Sequence, residues 1–418
     1  MKLSKVIIWN GLSVAVKMLS LMGINKVLAY YTGPSSFAYI SQLQNITNMA
    51  LVLPVNSIST ATVKYASDNE NIDKNSLIKT CFTMMLFCCF IVFLSFNFFS
   101  REISLYTFKT IDYEYIFNIY SVSIFFFAIN SFCLNLMNGL REIKKYIISN
   151  ILGNIFSFFL FLILIVNMNY QGALICIVSS QIINATISVF VLKKYIRIRF
   201  RELVGKVSLE DFIQVIKFSS MAVFAGFILP ISLSIIRNII IDNDGIVVAG
   251  IWDATWKISS IYLMFISTTL SVYYLPVFSR EKSKVKLRNE VVKGCVIVFL
   301  LTAFCGVAIF YLKDHLISIL FSKDFHMVSE LIGYQLFGDS IKMISWVLGY
   351  FLISKACVKY YILTESFQWL SFILITYLSI TKYGIVGVQY AYIFSQLVYL
   401  IVIIFCVRFL FNKEASFE

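Results

Sequence analysis

Charge is scarce in this chain, and histidine and proline are scarcer still. Charged residues make up 14% of the 418 positions, about half of the roughly 25% usual in soluble domains. Too few are present to solvate an ordinary globular surface. The two histidines, His315 and His326, form no pattern of paired ligands, which excludes a histidine-built metal centre. Nine cysteines fall within or at the ends of apolar stretches and read as buried free thiols, with no disulfide or metal framework. Glycine-rich phosphate loops and nucleotide-binding lysine motifs are absent, so ATP is not the evident energy source and no cofactor is implied. The longest connections, 193–211 and 313–330, are about 20 residues each, which leaves no room for a soluble catalytic domain. The second reads as an amphipathic surface helix carrying Leu316, Ile319, Leu320 and Phe321.

What the chain has is hydrocarbon. Apolar residues account for 59% of it and the mean hydropathy is +0.84, which marks an integral membrane protein. Twelve apolar runs are long enough to cross a core of about 30 Å. They cover 6–29, 37–63, 77–98, 115–139, 146–166, 173–192, 212–240, 247–274, 291–312, 331–352, 360–380 and 388–410. The first begins after a short basic start but is too long for a signal-peptide core, so it is expected to be retained.

The second half repeats the first. Lys144-Lys145-Tyr146-Ile147-Ile148-Ser149-Asn150 lies over Lys359-Tyr360-Tyr361-Ile362-Leu363-Thr364-Glu365, and Ser180-Gln181 lies over Ser395-Gln396, each pair following a glycine, Gly172 or Gly387. That offset is 215. A shorter offset of 212 sets Gly33 on Gly245 and Ile46 on Ile258. Six spans per half is an even number, so both halves enter the membrane from the same side as a parallel repeat. The expected architecture is all-α, with about twelve transmembrane helices in two pseudo-symmetric six-helix lobes, 1–200 and 201–418, around a central cavity.

Basic residues orient the spans. The termini and even-numbered loops hold 23 Lys and Arg, against five on the other side, Arg101, Lys109, Lys313, Lys323 and Lys382. The positive-inside rule then places both termini in the cytoplasm. Most of the net charge of +13 is therefore topology, and no nucleic-acid partner is implied.

Seven cations remain inside the membrane, where ionisable groups default to function. Lys217 and Lys293 lie near cytoplasmic ends, where snorkelling accounts for them. Lys17, Lys26, Arg237, Lys257 and Lys342 do not, and Arg237 sits within one residue of the repeat position of Lys26. The first six spans embed no acid, whereas the second half embeds Asp253, Asp339 and Glu365. Asp253 to Lys257 is i,i+4 and Asp339 to Lys342 is i,i+3, so each acid can neutralise a base on its own helix face. Gln335, Asp339, Lys342 and Trp346 form one stripe, and amides cluster at Gln42, Asn45 and Asn48. The expected cavity is wet, amide-lined and net cationic, with aromatic edges at Tyr39, Trp252, Trp256 and Trp346. Those properties suit an anionic glycan carrier. The residues expected to bind substrate are Lys17, Lys26, Asn45, Arg237, Lys257, Lys342, Trp252 and Gln335. Asp253, Asp339 and Glu365 are the candidates for coupling to an H+ or Na+ gradient.

Short stretches add a resemblance over essentially the whole chain. Gly33-Pro34, Gly250-Ile251-Trp252, Tyr274-Leu275-Pro276 leading to Ser279-Arg280, Gln335-Leu336-Phe337-Gly338-Asp339 with Lys342, and Tyr361-Ile362-Leu363 with Glu365 resemble the Wzx-type lipid-linked oligosaccharide flippases. These belong to the multidrug/oligosaccharidyl-lipid/polysaccharide exporter superfamily. The similarity is greatest to the O-antigen and enterobacterial common antigen translocases. It implies movement of undecaprenyl-diphosphate-linked repeat units from the cytoplasmic to the periplasmic leaflet of a bacterial inner membrane by alternating access. Expected partners are that lipid-linked oligosaccharide, membrane lipids, and a polysaccharide polymerase with its chain-length regulator. Lys26, Arg237, Asp339 and Lys342 match charged positions of the family pattern, and Lys257 departs from the nearest relatives. Two other readings stay open: a multidrug exporter of the same superfamily, and a membrane-embedded polysaccharide polymerase or ligase, which normally needs a long periplasmic loop.

Overall fold

Among the described residues five have positive φ; apart from Lys109 in a short connection, the other four mark where long helices turn. Gly33 (φ 68°, ψ 179°) and Gly245 (φ 88°, ψ 168°) adopt one conformation. Asn169 (φ 48°, ψ −128°) and Gly384 (φ 55°, ψ −145°) adopt another. The first pair is 212 residues apart and the second 215, so the repeat read from side chains is also written in the backbone. Glycine suits three of these positions because positive φ carries no Cβ penalty there, and asparagine is the residue that tolerates it next best.

The computed structural model describes residues 3–67, 74–140, 142–195, 209–281, 283–355 and 357–413. Every regular element in them is helical. In chain order they are α1 (Leu3–Ala50), a π-turn (Val52–Asn56), α2 (Ser57–Ser67), α3 (Lys74–Phe98), α4 (Ser100–Phe108), α5 (Glu114–Gly139), α6 (Ile143–Ser179), α7 (Gln181–Tyr195), α8 (Leu209–Asp244), α9 (Ile246–Arg280), α10 (Lys284–Tyr311), α11 (Lys313–Leu320), a 3-10 turn (Lys323–Phe325), α12 (Val328–Ser354) and α13 (Val358–Lys413).

Three stretches are far longer than one crossing needs. The 56 residues of α13 would run about 84 Å if straight, against a core of about 30 Å. It is instead two arms folded back at Gly384, where Ser379 Oγ donates to the carbonyl of Gly387 at 2.9 Å. In α6 the arms meet so closely after Asn169 that a Cβ on Gly172 would run into the carbonyl of Leu164. A turn of the Gly245 kind interrupts α1 at Gly33, with its second arm continuing through the π-turn into α2. Counting each arm, with α7 continuing the second arm of α6, gives twelve helical spans among the described residues, six in each half. The short α4 and α11 stand at matching places, after the third and ninth spans.

The chain forms two units, Met1–Thr32 with Tyr39–Pro230, and Gly33–Ala38 with Ile231–Glu418. The passage between them falls at Pro230, inside α8, where proline removes one helical hydrogen bond. Pro54 lies in the π-turn. There the wider ring lets Asn56 N donate to Leu51 O at 3.1 Å, a local widening characteristic of such turns. The fourth span of each half is the packing centre of its unit. In the first, α5 buries Phe117, Tyr120, Ile124, Ala128, Phe132 and Leu136. In the second, α12 buries Leu331, Met343, Val347, Phe351 and Leu352 between α9, α10 and α13. With 61% of its apolar stretch buried, against 22% for α10, α12 is able to carry buried polar groups.

Candidate functional site

The second unit gathers eight of the residues singled out by sequence. The tight turn at Gly245 sets positions equally far before and after it side by side, and those positions are Arg237 and Asp253. Arg237 Nε donates to Asp253 Oδ2 at 2.7 Å and Nη2 to Oδ1 at 2.5 Å. Both residues are buried, so a fork-shaped guanidinium meets a carboxylate with its charge neutralised in place. The guanidinium carbon also stands 5.9 Å from the Trp252 ring centre. Asp253 thus pairs with Arg237 across the hairpin, where the i,i+4 spacing suggested Lys257. At the offset of 212 the residues of the first half are Asn25 and Ser41, so that hairpin carries a neutral pair of side chains and Lys26 is one position out of register.

Asp339, at the middle of α12, accepts three hydroxyl hydrogen bonds. Ser259 and Tyr262 of α9 donate to Oδ2 at 2.5 and 2.8 Å, and Tyr392 of α13 donates to Oδ1 at 2.7 Å. Gln335 Nε2 reaches Ser259 Oγ at 3.4 Å. Glycine at 338 makes this possible: a Cβ there would stand 2.6 Å from the Tyr392 ring, and only its absence lets the phenol slide across α12 to the carboxylate. The Gln335-to-Asp339 motif is therefore a packing device around one acid.

Lys342, one turn further along α12, rests on rings. Its ammonium lies 5.1 Å from the centres of both Trp256 and Trp346. Trp256 is itself braced by Trp252 at 5.8 Å, by Tyr392 at 5.5 Å and by a stacked Phe372 at 6.5 Å. The Asp339 and Lys342 charges paired by i,i+3 spacing attract each other, while the direct contacts are hydroxyls on the acid and indoles on the base. The ammonium of Lys257 is buried with no hydrogen-bond partner and sits 4.0 Å over the Phe37 ring. Phe37 belongs to the short segment after Gly33 that packs with this unit, where the Pro34 carbonyl touches Gly250. Glu365 accepts from Tyr399 OH at 2.8 Å. Three cations and three acids occupy this cluster, so its own formal charge is balanced.

The other three candidates lie in the first unit. Lys17 is exposed and Lys26 half-buried on the first arm of α1, and Asn45 is buried on the second. Sequence reading overlooked Phe37, Ser259, Tyr262, Tyr392 and Tyr399. The spacing of Ser259 and Tyr262 on one helix face was legible as a polar stripe, but nothing in the sequence says which acid it faces. Among the described residues no group of three or more His, Cys, Asp or Glu gathers as a metal site.

Twelve spans in two repeated units, with a buried ion pair and a hydroxyl-bound acid in the second, make up a fold like that of solved transporters of the MOP superfamily. The chain superposes on an inward-facing MATE-family multidrug transporter of that superfamily with a TM-score of 0.83, at 12% identity, over 96% of both chains. The lipid II flippase MurJ in its inward closed conformation superposes with a TM-score of 0.69, at 16% identity, over 96% of this chain and 87% of that one. The family model described as "Polysaccharide biosynthesis protein" matches residues 3–282, and the chain belongs to that family. It is 26% identical over 410 residues to a protein of Escherichia coli K12 named "Lipid III flippase", covering 96% of each. These relatives are named as flippases and transporters, not as enzymes.

Proposed function

We propose that this protein is a flippase that moves undecaprenyl-diphosphate-linked oligosaccharide repeat units from the cytoplasmic to the periplasmic leaflet by alternating access, for surface polysaccharide of the O-antigen kind. The observation that carries this reading is the unequal state of the buried charges. The acids are spent, Asp253 on Arg237, Asp339 on three hydroxyls and Glu365 on Tyr399. Two cations keep donors to offer, Lys257 with no hydrogen-bond partner and Lys342 on two indole faces. Such a site favours an anion over the cationic drugs that need a free carboxylate, and a diphosphate supplies strong acceptors for ammonium donors. The end-to-end match to a protein named as a lipid III flippase points to the same substrate class.

In this mechanism Lys342 and Lys257 of the second unit hold the diphosphate, with Gln335 meeting sugar hydroxyls and Trp252 a sugar face; Lys17, Lys26 and Asn45 are the substrate-binding candidates of the first unit. The polyprenyl tail stays in lipid. Both termini face the cytoplasm of a bacterial inner membrane, and a polymerase with its chain-length regulator receives the product. An H+ or Na+ gradient drives return of the empty carrier, with Asp339 or Glu365 exchanging its hydroxyl partners for the ion. The likeness to a multidrug transporter supports drug export as the second reading. Mass spectrometry of lipid-linked glycans in a deletion strain separates the two. Repeat units accumulating on the inner leaflet, with loss of surface glycan, are expected; normal glycan with new drug sensitivity would overturn the flippase reading.

A further inference from the structure

Two surface grooves occupy repeat-related positions, and the transport cycle proposed above uses neither. The first, of about 590 Å³, lies between the start of α6 and the end of α7, with Lys144, Ile148, Leu152, Phe190 and Val191 among its lining. The second, of about 360 Å³, lies on the start of α13, with Lys359, Ile362, Leu363, Phe367 and Leu370. At the offset of 215, Lys144 falls on Lys359, Ile148 on Leu363 and Leu152 on Phe367. The chain has thus kept one arrangement twice while most of the surrounding side chains diverged.

Each groove is an apolar trough with an exposed ammonium at one end. Leu152, Phe190, Phe367 and Leu370 are 38%, 67%, 52% and 64% exposed, and in a spanning helix such faces meet acyl chains. The lysines stand in the first turn of α6 and of α13, where free backbone amides and the helix dipole add to their attraction for an anion. Glu142 at the mouth of the first groove is neutralised by Lys145 at 2.9 Å, which leaves Lys144 to act on a ligand. From Lys359 to Leu370 the trough runs about 16 Å along the helix, the depth of one leaflet of a core about 30 Å thick. A phosphate at the ammonium therefore puts one acyl chain along the full trough.

We infer that both grooves are binding sites for an anionic phospholipid, its phosphate on Lys144 in one unit and on Lys359 in the other. A zwitterionic headgroup fits less well, because its own ammonium competes for the phosphate and repels the lysine. The test is native mass spectrometry of the full chain titrated with phosphatidylglycerol or phosphatidylcholine. Up to two phosphatidylglycerol molecules should be retained. Lys144→Ala and Lys359→Ala should each weaken one of the two sites by about fivefold, from the attraction of one basic residue near a membrane surface. Lys144→Arg and Lys359→Arg should hold wild-type retention, as should the exposed control Lys323→Ala, with unchanged thermal unfolding throughout. Equal retention by the alanine variants, or equal retention of phosphatidylcholine, would overturn the inference. So would displacement of phosphatidylglycerol by a polyprenyl monophosphate, since the grooves would then hold the tail of the lipid carrier.

Discussion

Arg237 and Lys342 are both buried cations of the second unit, yet they are held in opposite ways and should fail in opposite ways. Arg237 is spent on Asp253, so Arg237→Ala leaves a buried carboxylate without its partner, a loss of about 3 to 5 kcal/mol. Membrane levels of that variant should fall in step with surface glycan, and Arg237→Gln with Asp253→Asn should recover the levels. Immunoblots of membranes read this directly, and normal levels in Arg237→Ala would show that the pair is dispensable to folding. Lys342 keeps its hydrogen-bonding capacity, so Lys342→Gln should leave levels intact. Its transport rate should drop about ten- to a hundredfold, the worth of one hydrogen bond to a charged group. Lys342→Arg should recover part of it, since the charge is kept on a different donor geometry. Adding Asp339→Asn to Lys342→Gln should not restore transport, because Asp339 is satisfied by Ser259, Tyr262 and Tyr392. A double variant with normal surface glycan would mean that the two residues only cancel each other's charge.

The four turns govern the helical elements, and they differ in what they tolerate. Gly245 lies at φ 88° and ψ 168°, a region held almost entirely by glycine, so Gly245→Ala carries about 1 to 3 kcal/mol of strain. Nothing stands within 4 Å of an added Cβ there, so the cost is backbone conformation alone. The strain also pulls apart the hairpin that sets Arg237 beside Asp253. Asn169 occupies the equivalent of Gly384 while bearing a side chain at φ 48°, so Asn169→Gly should leave the melting temperature unchanged or raise it. Thermal unfolding in detergent of the two variants gives the comparison. A Gly245→Ala protein as stable as the parent would show that this turn is free to relax. At the centre of α12, Gly338 acts by space instead: its missing Cβ admits Tyr392 to Asp339.

At the scale of the whole molecule, the imbalance of 23 basic residues against five predicts one orientation for all twelve spans. A fluorescent protein fused after Lys413 should fluoresce, and alkaline phosphatase fused at Lys109 should be active. An active phosphatase at Lys413 would invert the topology. Two large-scale features were legible without coordinates, because span number follows from hydrophobic length and the repeat from side chains such as Gly33 with Gly245 and Gly172 with Gly387. Each is a property of the chain read locally, or of two stretches compared directly. The partners of the buried charges are another matter. Asp253 and Lys257 share a helix face, as do Asp339 and Lys342, and helical spacing nominated both pairs. Folding chose Arg237 for the first acid and hydroxyls of two other helices for the second. Inside a membrane a buried ion takes whichever donor meets it with the best geometry, and that depends on how a turn at Gly245 and a gap at Gly338 bring neighbouring helices together. Helix period and loop charge are written in sequence order; the approach of one helix to another is decided only when the side chains between them pack.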